Sequence, residues 1–415
     1  MILTLVLRSL RQHLLSTSLA VASLALAGGL LMTLFVVQRE AESAFGGDRL
    51  GFDAVLGARG SSLQLVLNAV FHLETSPGNI PWELYETIRD NPAVSLAVPY
   101  ALGDNYRGFR MVGTKRLLFE ELEFTDGGRF TLQVGRLFDE KYREALVGSF
   151  AAQETGLKVG DIINPYHGLS YDPAARHDEE YLIVGILQPT NTPADRVIWI
   201  PIEGVFRMEG HVLRGSGEDY EPEAGVAIPT EHKEVSAVMV KLDSPQAGFA
   251  LATTINRQGR VATFAYPIGG VMAELFQRVG WATLVLRIVA VLVAVVALLS
   301  NTAALLNTLN ERRRDIAILR SLGASRGMIL RQIVLEAGTI GTLGAAGALC
   351  LYVVLATAVG QAIRAETGLV IDPMTWHPAI VAVPLATILL SAIAGLIPAL
   401  GAYRTDVAKN LTPIA

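Results

Sequence analysis

The sequence predicts an α-helical membrane protein with four transmembrane helices, arranged one and then three, and a large α+β extracytoplasmic domain inserted between helices 1 and 2. Three observations predict it. Four long apolar stretches are free of charge, a charged segment of about 240 residues separates the first two, and arginines gather in alternate short loops.

Residues 14–37, 288–309, 337–360 and 378–402 contain no Asp, Glu, Lys or Arg. A hydrocarbon core of about 30 Å needs roughly 20 helical residues, so each stretch can span with some tilt. The first is preceded by Arg8 and Arg11 and contains Ala25-Leu26-Ala27, a pattern also found at signal-peptide cleavage sites. Its apolar character continues through Val37, beyond the core of a cleaved signal, which predicts an uncleaved anchor. The lack of charge inside all four stretches argues against a proton- or ion-coupled carrier.

Composition is 51% hydrophobic and 18% charged, with a mean hydropathy of +0.40. The charge is uneven. Residues 38–280 hold 22 Lys and Arg against 33 Asp and Glu, and the remainder holds 12 against 6. An acidic body is therefore joined to a basic, apolar one, with predicted boundaries at 1–37, 38–280 and 281–415. The acidic segment argues against a nucleic-acid face. Cys350 is the single cysteine, which excludes an intrachain disulfide and a thiolate cluster. None of the six lysines follows a glycine, so a Walker A loop is absent, as is the HExxH pattern. The chain is expected to be neither an enzyme nor a holder of a cofactor.

Orientation follows from the excess of Lys and Arg in cytoplasmic loops. Arg312, Arg313, Arg314, Arg320, Arg326 and Arg331 lie between spans two and three, Arg404 and Lys409 in the tail, and Arg8 and Arg11 before span one. These three segments share one side if the spans alternate, and that side is predicted to be cytoplasmic. The loop 361–377 has Arg364 with Glu366 and Asp372, and falls outside with the acidic domain.

In the outer segment, β-rich runs at 145–147, 181–187, 196–200 and 237–242 predict strands. Helices are predicted at 81–88, ending before Asn91-Pro92, at 149–155, ending at Gly156, and at 245–257. Residues 209–235, rich in glycine and charge, predict a surface loop. Five of the seven histidines, His72, His167, His177, His211 and His232, fall in this segment. Imidazole is a common metal ligand, but no pair has local ligand spacing and no cysteine can complete a site. No metal site is expected.

The most informative stretch is Asn310-Glu311-Arg312-Arg313-Arg314-Asp315-Ile316-Ala317-Ile318-Leu319-Arg320-Ser321-Leu322-Gly323-Ala324-Ser325. The helix leaving span two is predicted to continue through Leu322, with Ile316, Leu319 and Leu322 on one face. Gly323 would stop it and Ser325 would cap the next helix, 326–336. Two readings of this amphipathic elbow stand side by side. One is an interfacial helix whose arginines hold anionic lipid headgroups; the other is a docking element for a cytoplasmic partner.

The run from Glu311 to Ser325 resembles the signature of the MacB/FtsX/LolC-type ABC transporter permeases. Gly135-Arg136-Leu137-Phe138, Glu144-Ala145-Leu146-Val147-Gly148, Gly156-Leu157-Lys158-Val159-Gly160-Asp161 and Val184-Gly185-Ile186-Leu187 are similar to that family's outer domain in order and spacing. The tail Ile397-Pro398-Ala399-Leu400-Gly401-Ala402-Tyr403-Arg404 is similar to its ending. The resemblance implies a multi-pass permease of the bacterial inner membrane. It would form a homodimer, or pair with a related permease, and recruit two copies of a cytoplasmic ABC ATPase that carries the ATP and Mg. With 13 residues before span one, that ATPase is expected on a separate polypeptide. Carried over by position, 311–325 would be the ATPase-coupling elbow, with Glu311, Arg312, Arg313, Arg314, Ile316, Leu319, Arg320, Leu322, Gly323 and Ser325 as its residues. The family is associated with mechanotransmission, in which ATP-driven movement reaches the periplasmic domain for export or extraction of a periplasmic or outer-leaflet substrate. The alternative is an FtsX-like regulator of a periplasmic enzyme or sensor; either way a periplasmic protein would be a further partner. Gly338, Gly341, Gly344 and Gly347 in span three form a small-residue stripe. It predicts close helix packing, either within one subunit or between subunits.

Overall fold

A computed structural model describes residues 2–46, 50–125, 127–168, 171–208, 228–258, 261–370, 372 and 374–403. Most of the predicted loop 209–235 and the basic tail residues Arg404 and Lys409 lie outside the described residues. The chain forms two compact units. One comprises residues 1–40, 279–360 and 372–415, and the other residues 41–278 and 361–371. The segment between spans three and four therefore belongs to the same unit as the segment between spans one and two.

Four helices in the described residues are long and apolar enough to cross a membrane: Leu14–Phe45, Ile268–Glu311, Arg326–Thr367 and Pro378–Leu400. The last consists of Pro378–Ala394 and Leu396–Tyr403, with His377 as N-cap and Pro378 in the first turn, where its missing N–H costs nothing. Their contacts use small residues, as expected where lipid removes the hydrophobic drive between helices. A Cβ on Gly344 would stand 2.7 Å from Leu24 Cβ, one on Gly347 2.9 Å from Ala25 Cβ, and one on Gly28 2.8 Å from Ala348 Cβ. Spans one and three thus approach through reciprocal glycines. Gly341 does the same against Ser391, while Gly338 meets its nearest neighbour, Ala392 Cβ, only at 4.0 Å. Three of the four stripe glycines are spent within this chain. The fully buried Asn301 donates to Ser391 Oγ at 2.8 Å, and Ser391 donates to the Ala337 carbonyl at 2.8 Å, tying spans two, three and four.

The other unit is a mixed sheet with helices on both faces. In chain order its strands are β1 Ala54–Ala58, β2 Ile80–Pro81, β3 Val94–Tyr106, β4 Phe109–Thr114, β5 Leu132–Gly135, β6 Glu144–Val147 and β7 Ile162–Ile163. They continue as β8 Tyr166–His167, β9 Tyr181–Leu187, β10 Ile198–Pro201, β11 Glu234–Val235, β12 Ala237–Leu242 and β13 Ala262–Ala265. The main sheet runs β13-β1-β12-β3-β4-β10-β6-β9-β5, with β8 on β3 and β7 on β9. β4–β10 and β6–β9 are parallel pairs; the other pairs are antiparallel.

Alternation of period two explains its two cores. Leu56, Ala97, Val238 and Val240 enter one cluster, closed by Tyr85 and Ile88 of the helix Trp82–Arg89. Val55, Val98, Tyr100, Val112 and Met239 enter the other, closed by Leu65 and Val66 of the helix Ser62–Ala69. Each buried Val, Leu or Ile contributes roughly 1.5–3 kcal/mol. Central strands therefore look apolar throughout and show no alternation in sequence. The predicted helices 81–88, 149–155 and 245–257 are Trp82–Arg89, Ser149–Thr155 and Pro245–Gln258. Gly156 ends the second in the left-handed region, at φ 74°.

Candidate functional site

The elbow is built from a break. Span two's helix was expected to run on through Leu322, but it stops at Glu311. Arg312 leaves the helical region at φ −98°, ψ 10°, and a separate helix, Arg313–Ser321, begins after it. Arg312 is turned inward. Its guanidinium donates to Ser9 Oγ and lies 3.6 Å from Glu336 Oε2, while Ser9 donates to Glu336 Oε1. Ser9 and Glu336 are buried and the Arg312 side chain is only 17% exposed. Next to them Glu311 approaches His13 Nδ1 at 3.3 Å. A polar cluster thus joins the helix Ile2–Gln12, the elbow and the start of span three.

The apolar face is divided. Ile316 packs against Ile329, Ile333 and Ala399 inside the chain. Leu319 and Arg320 are half-buried. Leu322 is 79% exposed, because the helix ends at Ser321 and Leu322, at its C-cap, leaves the face on which Ile316 lies. Arg313, Arg314, Asp315 and Ile318 are exposed beside it. Gly323 has φ +101°, a conformation that disfavours any other residue. Ser325 Oγ accepts the Met328 amide at 3.2 Å and so caps the helix Arg326–Thr367. The outward surface of the elbow is therefore Arg313, Arg314, Asp315, Ile318 and Leu322: net cationic, with two large apolar side chains, held on a buried polar base.

In the other unit, the segment 361–371 is held by specific contacts. Arg364 lies 4.9 Å over the Phe150 ring and donates to Gln153 at 3.1 Å. Arg196 Nε donates to the Ala365 carbonyl at 3.0 Å, and the Val370 amide donates to Asn191 Oδ1 at 2.7 Å. A cavity of about 30 Å³ beside His72, Tyr100 and Trp199 has room for water rather than a substrate. Burial, with Arg110 and Arg196 nearby, lowers the pKa of His72 to about 3. His232 lies 3.8 Å from Glu231, and His211 lies outside the described residues. His167 and His177, ten positions apart, converge on the buried Asp104, which their sequence spacing did not suggest. Sequence reasoning also passed over Ser9, Glu336 and Asn301, for which a lone polar residue in or beside an apolar stretch was the available signal.

Comparison with known proteins agrees with this architecture. Residues 14–258 match the MacB-like periplasmic core domain and residues 287–407 the FtsX-like permease C-terminal domain. The chain is 24% identical over 322 residues to the lipoprotein-releasing system transmembrane protein LolE of Haemophilus influenzae, covering 71% of each chain. It is 26% identical over 306 residues to an uncharacterized ABC transporter permease of Methanocaldococcus jannaschii, covering 69% of this chain and 67% of that one. The periplasmic region of MacB from Actinobacillus actinomycetemcomitans aligns with 55% of this chain and 95% of its own, at 10% identity and a TM-score of 0.35. With both domains matched in order along its length, the chain belongs to the MacB/FtsX/LolC-type ABC transporter permeases.

Proposed function

We propose that this permease is a mechanical transmitter between a cytoplasmic ABC ATPase and its own extracytoplasmic domain. The observation that carries the reading is continuity. The helices Leu14–Phe45 and Ile268–Glu311 each extend beyond the apolar span into the segment assigned to the outer unit, and the second ends directly at the elbow. A push on the elbow is delivered to a single uninterrupted helix of 44 residues. In this reading the termini and the elbow are cytoplasmic, two permease chains work with two ATPase subunits, and the moving outer domains export or extract a substrate from the periplasm or outer leaflet. LolE's description as part of a lipoprotein-releasing system makes lipid-anchored substrates the first class to test.

Docking would use Leu322 and Ile318 for apolar contact and Arg313 and Arg314 for charge complementarity. The test is R313E/R314E in the full chain, expressed with its ATPase. The expected result is normal membrane insertion with at least tenfold less co-purified ATPase. Undiminished recovery of the ATPase would show that docking lies elsewhere.

A further inference from the structure

We propose that Asp104, His167 and His177 form a binding site for a divalent transition-metal ion, with zinc(II) as the matching ion. The inference stands on the outer unit's geometry and does not rest on the permease reading.

The donor atoms are already gathered. Asp104 Oδ1 lies 3.5 Å from His167 Nδ1 and 3.4 Å from His177 Nε2. All three ligand atoms lie within 4.8 Å of one another. These separations exceed the 2.7–3.2 Å or so of a good N–H···O hydrogen bond. The two separations from Asp104 are close to a tetrahedron's edge: bonds of about 2.0–2.1 Å to zinc place neighbouring ligand atoms about 3.3–3.4 Å apart.

Backbone hydrogen bonding fixes all three positions. Asp104 follows the register shift after Leu102, where β3 gains a residue relative to β4. Such bulges re-aim side chains. Asp104 and His167 are direct partners across β3 and β8, and the Gly168 amide donates to the Gly103 carbonyl at 2.8 Å. His177 is held on the other side of β8. Its amide donates to the Pro165 carbonyl at 2.9 Å, and Tyr166 bridges to Arg176. Asn164 Nδ2 secures that segment at the carbonyls of His177, Asp178 and Glu179, at 3.3, 3.4 and 3.0 Å. Support of this kind is what holds ligands in a metal-binding geometry.

Donor chemistry selects the ion. Two imidazoles and one carboxylate suit zinc, copper or nickel, whereas calcium and magnesium take oxygen shells. Asp104 and His177 have side-chain exposures of 3% and 11%, which removes competing solvent, and His167 at 59% leaves an open approach. Among the described residues three protein ligands converge here, and a four-coordinate ion takes one further donor.

The test uses the full chain in detergent, without a polyhistidine tag, stripped with chelator and titrated with Zn²⁺ against a chromophoric competitor. One equivalent per chain is expected, and Co²⁺ in its place should give the visible bands of a four-coordinate ion. H167A removes an exposed side chain, so its folding is secure, and it should weaken binding at least tenfold. D104N should do the same, while H232A should bind as the parent does. Absence of stoichiometric binding overturns the proposal, as does parent-like affinity in H167A.

Discussion

Arg312 and Glu336, 24 positions apart and on opposite arms of the elbow, form a largely buried ion pair at 3.6 Å whose third member is Ser9. The pair makes the elbow's base a fixed corner. It also removes Arg312 from the surface that a partner meets, so the three successive arginines have different roles.

Removing one partner of a fully buried ion pair leaves the other uncompensated, at a cost of about 3–5 kcal/mol; with Arg312 part-exposed, the cost here should fall below that range. R312M should therefore lower the melting temperature of the detergent-solubilised protein by several degrees, and E336M likewise. The double variant R312M/E336M should recover more than half of the loss. Additive losses in this double-mutant cycle would show that the two groups are not coupled.

The glycines of span three should not respond alike. Gly344→Ala drives a methyl group into Leu24 Cβ at 2.7 Å, and overpacking of this kind costs about 1–3 kcal/mol. Gly338→Ala, with Ala392 at 4.0 Å, should be neutral. Thermal denaturation of the two variants side by side distinguishes them. Equal losses would mean that the stripe packs otherwise.

Gly148 caps the helix Ser149–Thr155 at φ −63°, so its conformation does not demand glycine. Space does: a Cβ there would meet the Ala194 and Asp195 carbonyl oxygens at 2.5 Å. Gly148→Ala should destabilise the outer unit by about 1–3 kcal/mol, read as faster limited proteolysis between residues 41 and 278. Unchanged cleavage would contradict the tight approach.

His72 gives the outer unit a pH response. Its folded pKa of about 3 lies below the ordinary 6.5, chiefly through burial. Below pH 6.5 the unfolded chain takes up a proton that the folded chain refuses, so stability falls as pH falls. The slope is about 1.4 kcal/mol per pH unit between roughly pH 6 and pH 3. Above pH 6.5 the residue contributes no slope. H72Q should flatten the acid limb of melting temperature against pH while leaving the limb above pH 7 unchanged.

Much of the architecture was legible in the sequence because its causes are local. Uncharged stretches of spanning length predict membrane helices, Gly156 and Gly323 end helices by their backbone conformation, and Ser325 starts one with its hydroxyl. β3, the longest strand, gave no such signal: it is buried on both faces and carries Pro99, a residue that argues against a central strand. The structure places Pro99 ahead of the first β3–β4 pair, Ala101↔Gly113, so it has no ladder partner on β4; its carbonyl accepts Thr114 Oγ1 at 3.2 Å.

By itself, the sequence determined the count of spans, the acidic insertion and the charged elbow, since each follows from hydropathy, charge or turn chemistry within a few neighbouring residues. Tertiary structure alone decided which arginine turns inward, which stripe glycines are in contact, and that 361–371 joins the outer unit. It alone brought His167 and His177 to Asp104. These are pairings between residues far apart in the chain, set by helix packing and strand register, and no local pattern encodes them.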